Sequence, residues 1–267
     1  MKKFIRTALI IGMGAAVLAA CTNTKASDEE NKGFAAVPGD TMVVGLDDTF
    51  VPMGFRDNEG NLIGFDVDLA KEAAERMGVE VEFQPIDWAM KETELNSGNI
   101  DAIWNGYSMT EERKEKVNFS VPYFESSQVF VVLKDSPIQT WEDLEGKTVA
   151  SQQSSSTVDL LMNHPTGIVE TFADGEIIQY RSYTDVFNDL DSGRSDAIAV
   201  SETYARYTMK QKGDDRYRIL DESFGQENTG VGVRKSDTEF LEKLNTALEE
   251  MEQDGTRQEI YAKWFAD

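Results

Sequence analysis

From Thr41 onward the chain alternates short apolar runs with segments of helical period. That alternation restricts the possible folds more than any other feature of the sequence. TMVVGL (41–46) reads as a strand, and NEGN (58–61) reads as a hairpin turn. Val67, Leu69, Ala70, Ala73, Ala74 and Met77 recur at helical spacing, with Gly78 as a stop. VEVEFQPI is an alternating strand, Asp87 a cap for the helix that follows, NIDAIWNG a strand, and Thr110 a cap for TEERKEK. SSQVFVVLKDS (126–136) reads as a long strand leading out of this unit. The grammar then restarts with the short helix TWEDLEG, the strand KTVAS, the helix SSTVDLLMNH, the strand GEIIQYRS, the helix YTDVFNDLDSG and the strand SDAIAVS. After SETYARYTMKQ, YRILDESFG crosses back as a strand. TGVGVRK and two helices close the chain, the first with Ser236 and Glu239 spaced as a capping box.

Two phrases, NSGNIDAIW (96–104) and DSGRSDAIA (191–199), are nearly the same. Each combines a helix end, a glycine turn and a short strand, which predicts two similarly built α/β lobes. The expected division is 40–131 with 223–267 as the first lobe and 132–222 as the second. Two crossing strands, near 131–134 and 219–224, would form the hinge.

The N-terminus is of another kind. Lys2, Lys3 and Arg6 precede an uncharged run from Thr7 to Ala20, too short for the ~20 residues of a spanning helix and suited to the core of a signal peptide over residues 1–20. Cys21, the single cysteine, directly follows LAA, and no disulfide is available to the folded part. Residues 21–39 are polar and small, and read as a tether. Removing residues 1–20 would take the net charge from −23 to −26, which argues against nucleic acid or anionic lipid as a partner.

Few groups invite enzyme chemistry. His164 is the one histidine and lies in an NHPTG turn. There is no glycine-rich nucleotide loop, no Ser-His-acid set, and no metal or cofactor is expected. Asp66 and Asp68 sit at a helix start, where their directions diverge. They are expected to be solvated, with Asp66 as a helix cap and neither catalytic. NGYSMTEER (105–113) is more informative, because it follows a strand and begins a helix on the crevice side of an α/β lobe. Its amides, hydroxyls and the fork of Arg113 could receive a carboxylate, or Arg113 could be one more member of the EERKEK charge run. SQQSSST (151–157) occupies the equivalent place in the second lobe, either as a second half-site or as a serine-rich loop. Phe50, Trp88 and Tyr107 fall at strand ends or helix starts, as ligand platforms or as packing.

GFDVDLAKEAAERM, GLDDTFVPMGF, IDAIWNGYSMTEERKEKVNFSVPYF, LEGKTVASQQSSST, SGRSDAIAVSETYA and EMEQDGTRQEIYAKWF, in that order, resemble the bacterial extracellular solute-binding proteins of family 3, from about Thr41 to Phe265. LAAC likewise resembles a lipoprotein box, with lipidation of Cys21, ordinary signal-peptidase cleavage being the alternative. The resemblance implies a type II periplasmic-binding-protein-like fold, a Venus flytrap of two α/β lobes on a two-strand hinge, that closes on a polar amino acid. It implies delivery to an ABC permease and ATPase by a monomer held outside the membrane by its lipid. By position, Arg113 would grip the α-carboxylate with help from the Ser108 region and the backbone around Ser155 and Ser156, and Gln153 and Thr157 would be further ligand-binding residues. The Gly106 carbonyl, beside Asn105, would accept from the α-ammonium. Phe50 would stack on the side chain, with Asp47, Trp88 and Tyr107 near the specificity pocket. A cationic end would suit Asp47 or Asp48. One departure stands out: where the family usually has an aspartate for the ammonium, this chain has Ser201, followed by Glu202. The alternatives are an exported dehydratase of the same fold acting on a cyclohexadienyl acid, and a receptor or sensor module.

Overall fold

The computed structural model describes residues 33–266. The expected signal peptide, Cys21 and most of the expected tether lie outside the described residues. β1 (Thr41–Leu46) is followed by a small antiparallel sheet of β2 (Thr49–Phe50), β3 (Gly54–Arg56) and β4 (Leu62–Ile63). Then come α1 (Phe65–Met77), β5 (Glu80–Pro85), α2 (Lys91–Ser97), β6 (Ala102–Ile103), α3 (Glu111–Lys116) and β7 (Asn118–Phe119). β8 (Phe124–Leu133) leads to β9 (Val149–Gln152), α4 (Ser156–Met162), β10 (Ile178–Tyr180), α5 (Tyr183–Asp191), β11 (Ala197–Ser201) and α6 (Glu202–Lys212). β12 (Tyr217–Thr229) returns, and β13 (Gly232–Val233), α7 (Thr238–Gln253) and α8 (Thr256–Phe265) end the chain.

These strands build two five-stranded sheets. The first has the order β5-β1-β6-β13-β7, parallel from β5 to β6, with β13 antiparallel to both its neighbours. The second is β10-β9-β11-β8-β12, parallel from β10 to β11 and antiparallel thereafter. In each sheet the parallel strands carry their crossover helices on the faces; the inner ones, β1 and β6, β9 and β11, are largely buried, while the edge strands β5 and β10 stay partly exposed. The result is a type II periplasmic-binding-protein fold with two α/β lobes.

β8 and β12 form one antiparallel ribbon, from Phe124 opposite Thr229 to Leu133 opposite Tyr217. Phe124 packs on the first lobe's core, whereas Val129, Phe130 and Val131 are buried in the cores of the second. The expected crossing near 131–134 therefore falls inside the second lobe's packing. β12 is also longer than the sequence suggests. Its last four residues, QENT, carry no apolar side chain to mark them as strand.

Three local expectations change. Asp66 is buried, 1% exposed, and does not cap α1; the N-cap is Gly64, whose φ of 149° brings it against the Met53 carbonyl. Asp66 instead accepts the Gly106 N–H at 2.6 Å. Asp68 accepts from Lys263 Nζ and Trp264 Nε1 at 2.7 and 2.8 Å, which ties α8 to α1. The Ser236–Glu239 capping box does not form: Asp237 is the N-cap and pairs with Arg234, while Glu239 pairs with Lys243. The expected tether also ends early. Phe34 packs edge-on against Phe240, Ala36 is buried, and Lys243 Nζ donates to the carbonyls of Ala35 and Ala36.

Candidate ligand-binding site

The carboxyl ends of β1 and β6 supply the first wall. Asn105 Oδ1 accepts the Asp47 N–H, locking the two strand ends together. Asp47 Oδ1 accepts from the Thr49 amide and hydroxyl, and its Oδ2 accepts from Gln152 Nε2 of the second lobe at 2.8 Å. Burial raises the Asp47 pKa, and the bonds from Thr49 and Gln152 work against that rise. Gly106 has φ 60°, and a Cβ there would meet the Phe50 ring at 2.6 Å, so glycine lets that ring close over the loop. Phe50 stacks on Tyr204 with centroids 5.4 Å apart, carrying the contact into the second lobe.

Arg113 is positioned by the start of α3, where Thr110 Oγ1 accepts the Arg113 N–H. Its side chain is 4% exposed, and the guanidinium lies 4.7 Å from the Tyr107 ring centroid. Nη1 donates to the Ser108 carbonyl and Nη2 to the Ser154 carbonyl, both at 3.2 Å. Among the described residues no carboxylate lies within ion-pair distance of it. Lys91 beside it also donates to the Ser154 carbonyl, and is pushed down to about 8 by burial and then by the Arg113 charge.

The second wall comes from β9, α4 and β11. Ser155 caps α4 by accepting the Val158 N–H, and Ser156 and Thr157 turn their hydroxyls inward. Ser201 Oγ lies 2.8 Å from Ser126 Oγ. The crossing strands close the back. Glu227 Oε2 accepts from Ser156 Oγ at 2.6 Å, Ser108 Oγ at 3.0 Å and Gln128 Nε2 at 3.0 Å. These walls enclose a cleft of about 550 Å³, part of it open to solvent.

Asp47, Phe50, Trp88, Asn105, Gly106, Ser108, Arg113, Ser155, Ser156, Thr157 and Ser201 all line this cleft. Four expected residues do not. The Tyr107 ring packs behind the wall between Trp88 and Phe119, with its hydroxyl donating to Glu92. Gln153 yields to its neighbour Gln152, because the strand's alternation aims Gln152 inward while the Gln153 N–H donates to Tyr180. Glu202 turns outward to Arg206, one turn along α6. Asp48 likewise pairs with Arg56. The sequence reading missed Met53, Phe124, Ser126, Gln128, Gln152, Tyr183, Glu227 and Thr229. Most of these sit on β8 and β12, whose role as a cleft wall depends on pairing between distant segments.

Two α/β lobes bridged by paired strands, with a polar cleft between them, define an extracytoplasmic solute-binding protein. The sequence matches the bacterial extracellular solute-binding proteins, family 3, over residues 42–267, and the chain belongs to that family. It is 31% identical over 258 residues to the L-cystine-binding protein TcyJ of Escherichia coli K12, covering 96% of this chain and 94% of that one. The structure is similar to that of an ABC uptake transporter substrate-binding protein from Streptococcus pneumoniae with bound histidine, with a TM-score of 0.83, 40% identity, and 85% of this chain and 93% of the other covered. It is also similar to an ancestral arginine-binding protein bound to arginine, with a TM-score of 0.77, 42% identity, and coverage of 85% and 98%.

Proposed function

We propose that this chain is the extracytoplasmic binding component of an ABC importer, and that its cleft closes on a polar or basic amino acid. The observation that carries the reading is Arg113. A guanidinium buried without a carboxylate is costly, and its two recorded bonds go to neutral carbonyls. A ligand carboxylate would supply the missing charge through the planar, two-pronged geometry that arginine favours. Ser108 and, from the second lobe, Ser155, Ser156 and Thr157 would complete that end. Phe50, Trp88 and Asp47 would meet the side chain, and a cationic one would find Asp47 the nearest acid.

Closure then follows from bridging. Arg113 and Asp47 already reach Ser154 and Gln152 across the cleft, and Arg181 pairs with Asp87 at 3.2 Å. Ligand that contacts both walls favours this closed arrangement over an open one. We place the bending at Phe124–Ser127 and Gln226–Thr229, where the ribbon leaves the first lobe, with the lobes otherwise divided as expected. No bond is made or broken, and Glu202, the acid that follows Ser201, is paired outside the cleft. The closed chain would present both lobes, as a monomer, to a permease and its ATPase. Lipidation at Cys21 would keep it beside them, and the strong negative charge would hold the domain off an anionic surface.

A thermal-shift screen of residues 22–267 against the standard amino acids and cystine tests this. A ligand present at 100 times its Kd stabilises the folded state by about 2.7 kcal/mol, a readable rise in Tm. A chain whose Tm none of them moves at millimolar concentration is not an amino-acid receptor.

A further inference from the structure

A bound zwitterion needs an anion for its ammonium as well as a cation for its carboxylate. The cleft's neutral hydroxyl at Ser201 is already engaged with Ser126, and Glu202 faces Arg206 outside. Two carboxylates remain in the lining, Asp47 and Glu227. Both oxygens of Asp47 are taken, by Thr49 and by Gln152. Glu227 is arranged differently. Three protons converge on Oε2, from Ser108, Ser156 and Gln128, while Oε1 takes no donor among the described residues. All three donors are neutral, so they orient the carboxylate without cancelling its charge. No lysine or arginine among the described residues lies within ion-pair distance of it.

The position matters as much as the charge. Ser108 links the two uncompensated charges, its carbonyl accepting from Arg113 Nη1 and its hydroxyl donating to Glu227. A cation and an anion held through one residue match the spacing of an α-carboxylate and an α-ammonium, which sit on one carbon. The Ser108 oxygen, 3.0 Å from Ser156 Oγ, can also accept from the ammonium while its own proton points at Glu227 Oε2, so the acid acts directly or through that hydroxyl. The sheet explains how Glu227 comes to be there. Ser201 stands opposite Gln128 on β8, and Glu227 stands opposite Ser126 on the other side of the same strand. The acid is thus on the strand across β8 from Ser201, brought in by the polar end of β12 that sequence pattern does not mark.

We infer that Glu227 is the anionic partner of the ligand's ammonium group and so selects α-amino acids over simple carboxylic acids. This rests on the amino-acid reading of the cleft. The test pairs one change in the protein with one in the ligand. L-Arginine and 5-guanidinopentanoic acid, and L-histidine and 3-(imidazol-4-yl)propanoic acid, differ only in the α-amino group. Calorimetry on the mature chain should show Glu227→Gln weakening the amino acids at least tenfold, with the two amine-free acids unchanged or tighter. Ser201→Asp in the Glu227→Gln background should restore most of the loss by returning a carboxylate to the same sheet face. Should the amide variant fail to fold, Glu227→Asp, which keeps the charge and shortens its reach, should show a smaller loss with the same dependence on the amine. An equal loss for both members of a pair would make Glu227 a structural latch and overturn the inference. So would unchanged affinity, or a gain for the amino acid, since a gain would mean that Glu227 competes with the ligand. If the wild-type chain binds none of the standard amino acids and no cystine, the amino-acid reading itself falls, and the inference with it.

Discussion

The two lobes are built by the same device and then put to different uses. In the first, Asp101 of the DAI phrase accepts the Val43 N–H at 3.0 Å; in the second, Asp196 of the same phrase accepts the Thr148 N–H at 2.9 Å. Each aspartate ties the central strand to its parallel neighbour, and each follows a left-handed glycine, Gly98 or Gly193. Beyond the strands the lobes diverge. The first opens into the loop 105–110 and delivers Arg113, with Asp47 from the adjacent strand end. The second runs from Ser201 straight into α6, and its β9, α4, α5 and β11 contribute only neutral groups, Gln152, Ser155, Ser156, Thr157, Tyr183 and Ser201, to the cleft, whose acid Glu227 comes from the crossing strand β12. A wall that carries charge can select a ligand in the open state. A neutral wall can close on it with a far smaller desolvation cost than a second set of ions would incur. The division therefore separates recognition from closure.

The largest test of that division is Arg113→Ala. Removing the one guanidinium of the charged wall should cost roughly 3–5 kcal/mol of ligand affinity, seen by calorimetry, while the fold persists. A loss no greater than that from a second-wall hydroxyl would end the contrast between lobes.

A second test concerns acids buried away from the ligand. Asp66, beneath the first lobe's loop, is pushed up from 3.8 to about 7 by burial, against the pull of the Gly106 N–H and the neighbouring Tyr123 hydroxyl. The folded chain keeps this proton up to about pH 7, and the unfolded chain releases it near 3.8. The Asp66 contribution to stability is therefore complete below pH 3.8 and is lost as pH rises to 7, by about 4 kcal/mol over the window. Asp189 of the second lobe has the opposite sign. Burial would raise it, but the bonds from Ser195, Tyr180 and Arg194 outweigh burial and lower it, so its contribution is lost on acidification. Urea melts at pH 5 and pH 8 should show Asp66→Asn flattening the slope between them, and Asp189→Asn leaving that slope in place while lowering stability throughout.

How much of this the sequence disclosed follows the range of the interactions involved. Gly78, Asp87 and Thr110 act within a turn of their own position, and the structure has each where local chemistry puts it. The fold class followed from the alternation of strands and helices, because period and turn residues are also local. Asp66 was read as solvated because nothing near it in sequence shows that α1 begins under the loop of Gly106, forty residues on. Glu227 was invisible for a related reason. QENT has no apolar alternation, and only pairing with β8, a hundred residues earlier, makes it a strand with one face in the cleft. Gln152 and Gln153, adjacent in a polar run, look alike until strand parity is known.

Changes in the neutral wall should be smaller than those in the charged one. Ser156→Ala removes a hydroxyl that points at the closed cleft, and a neutral hydrogen bond contributes about 1 kcal/mol net. Affinity should fall about fivefold, and stopped-flow kinetics should place most of that in faster release, since the second wall engages after the first.

The smallest effect expected is also the sharpest check on the comparison. Glu202 is the first residue after the second lobe's central strand to carry charge, the position at which the first lobe turns its loop into the cleft. In the structure its carboxylate accepts from Arg206 Nε at 2.8 Å on the exposed face of α6. An i,i+4 pair of this kind contributes a few tenths of a kcal/mol to the helix. Glu202→Gln should thus lower the Tm by at most a degree or two and leave calorimetric ligand affinity within error. A tenfold loss of affinity would mean that the side chain swings inward when ligand arrives. The second lobe would then carry charge to the ligand after all, and recognition would belong to both walls.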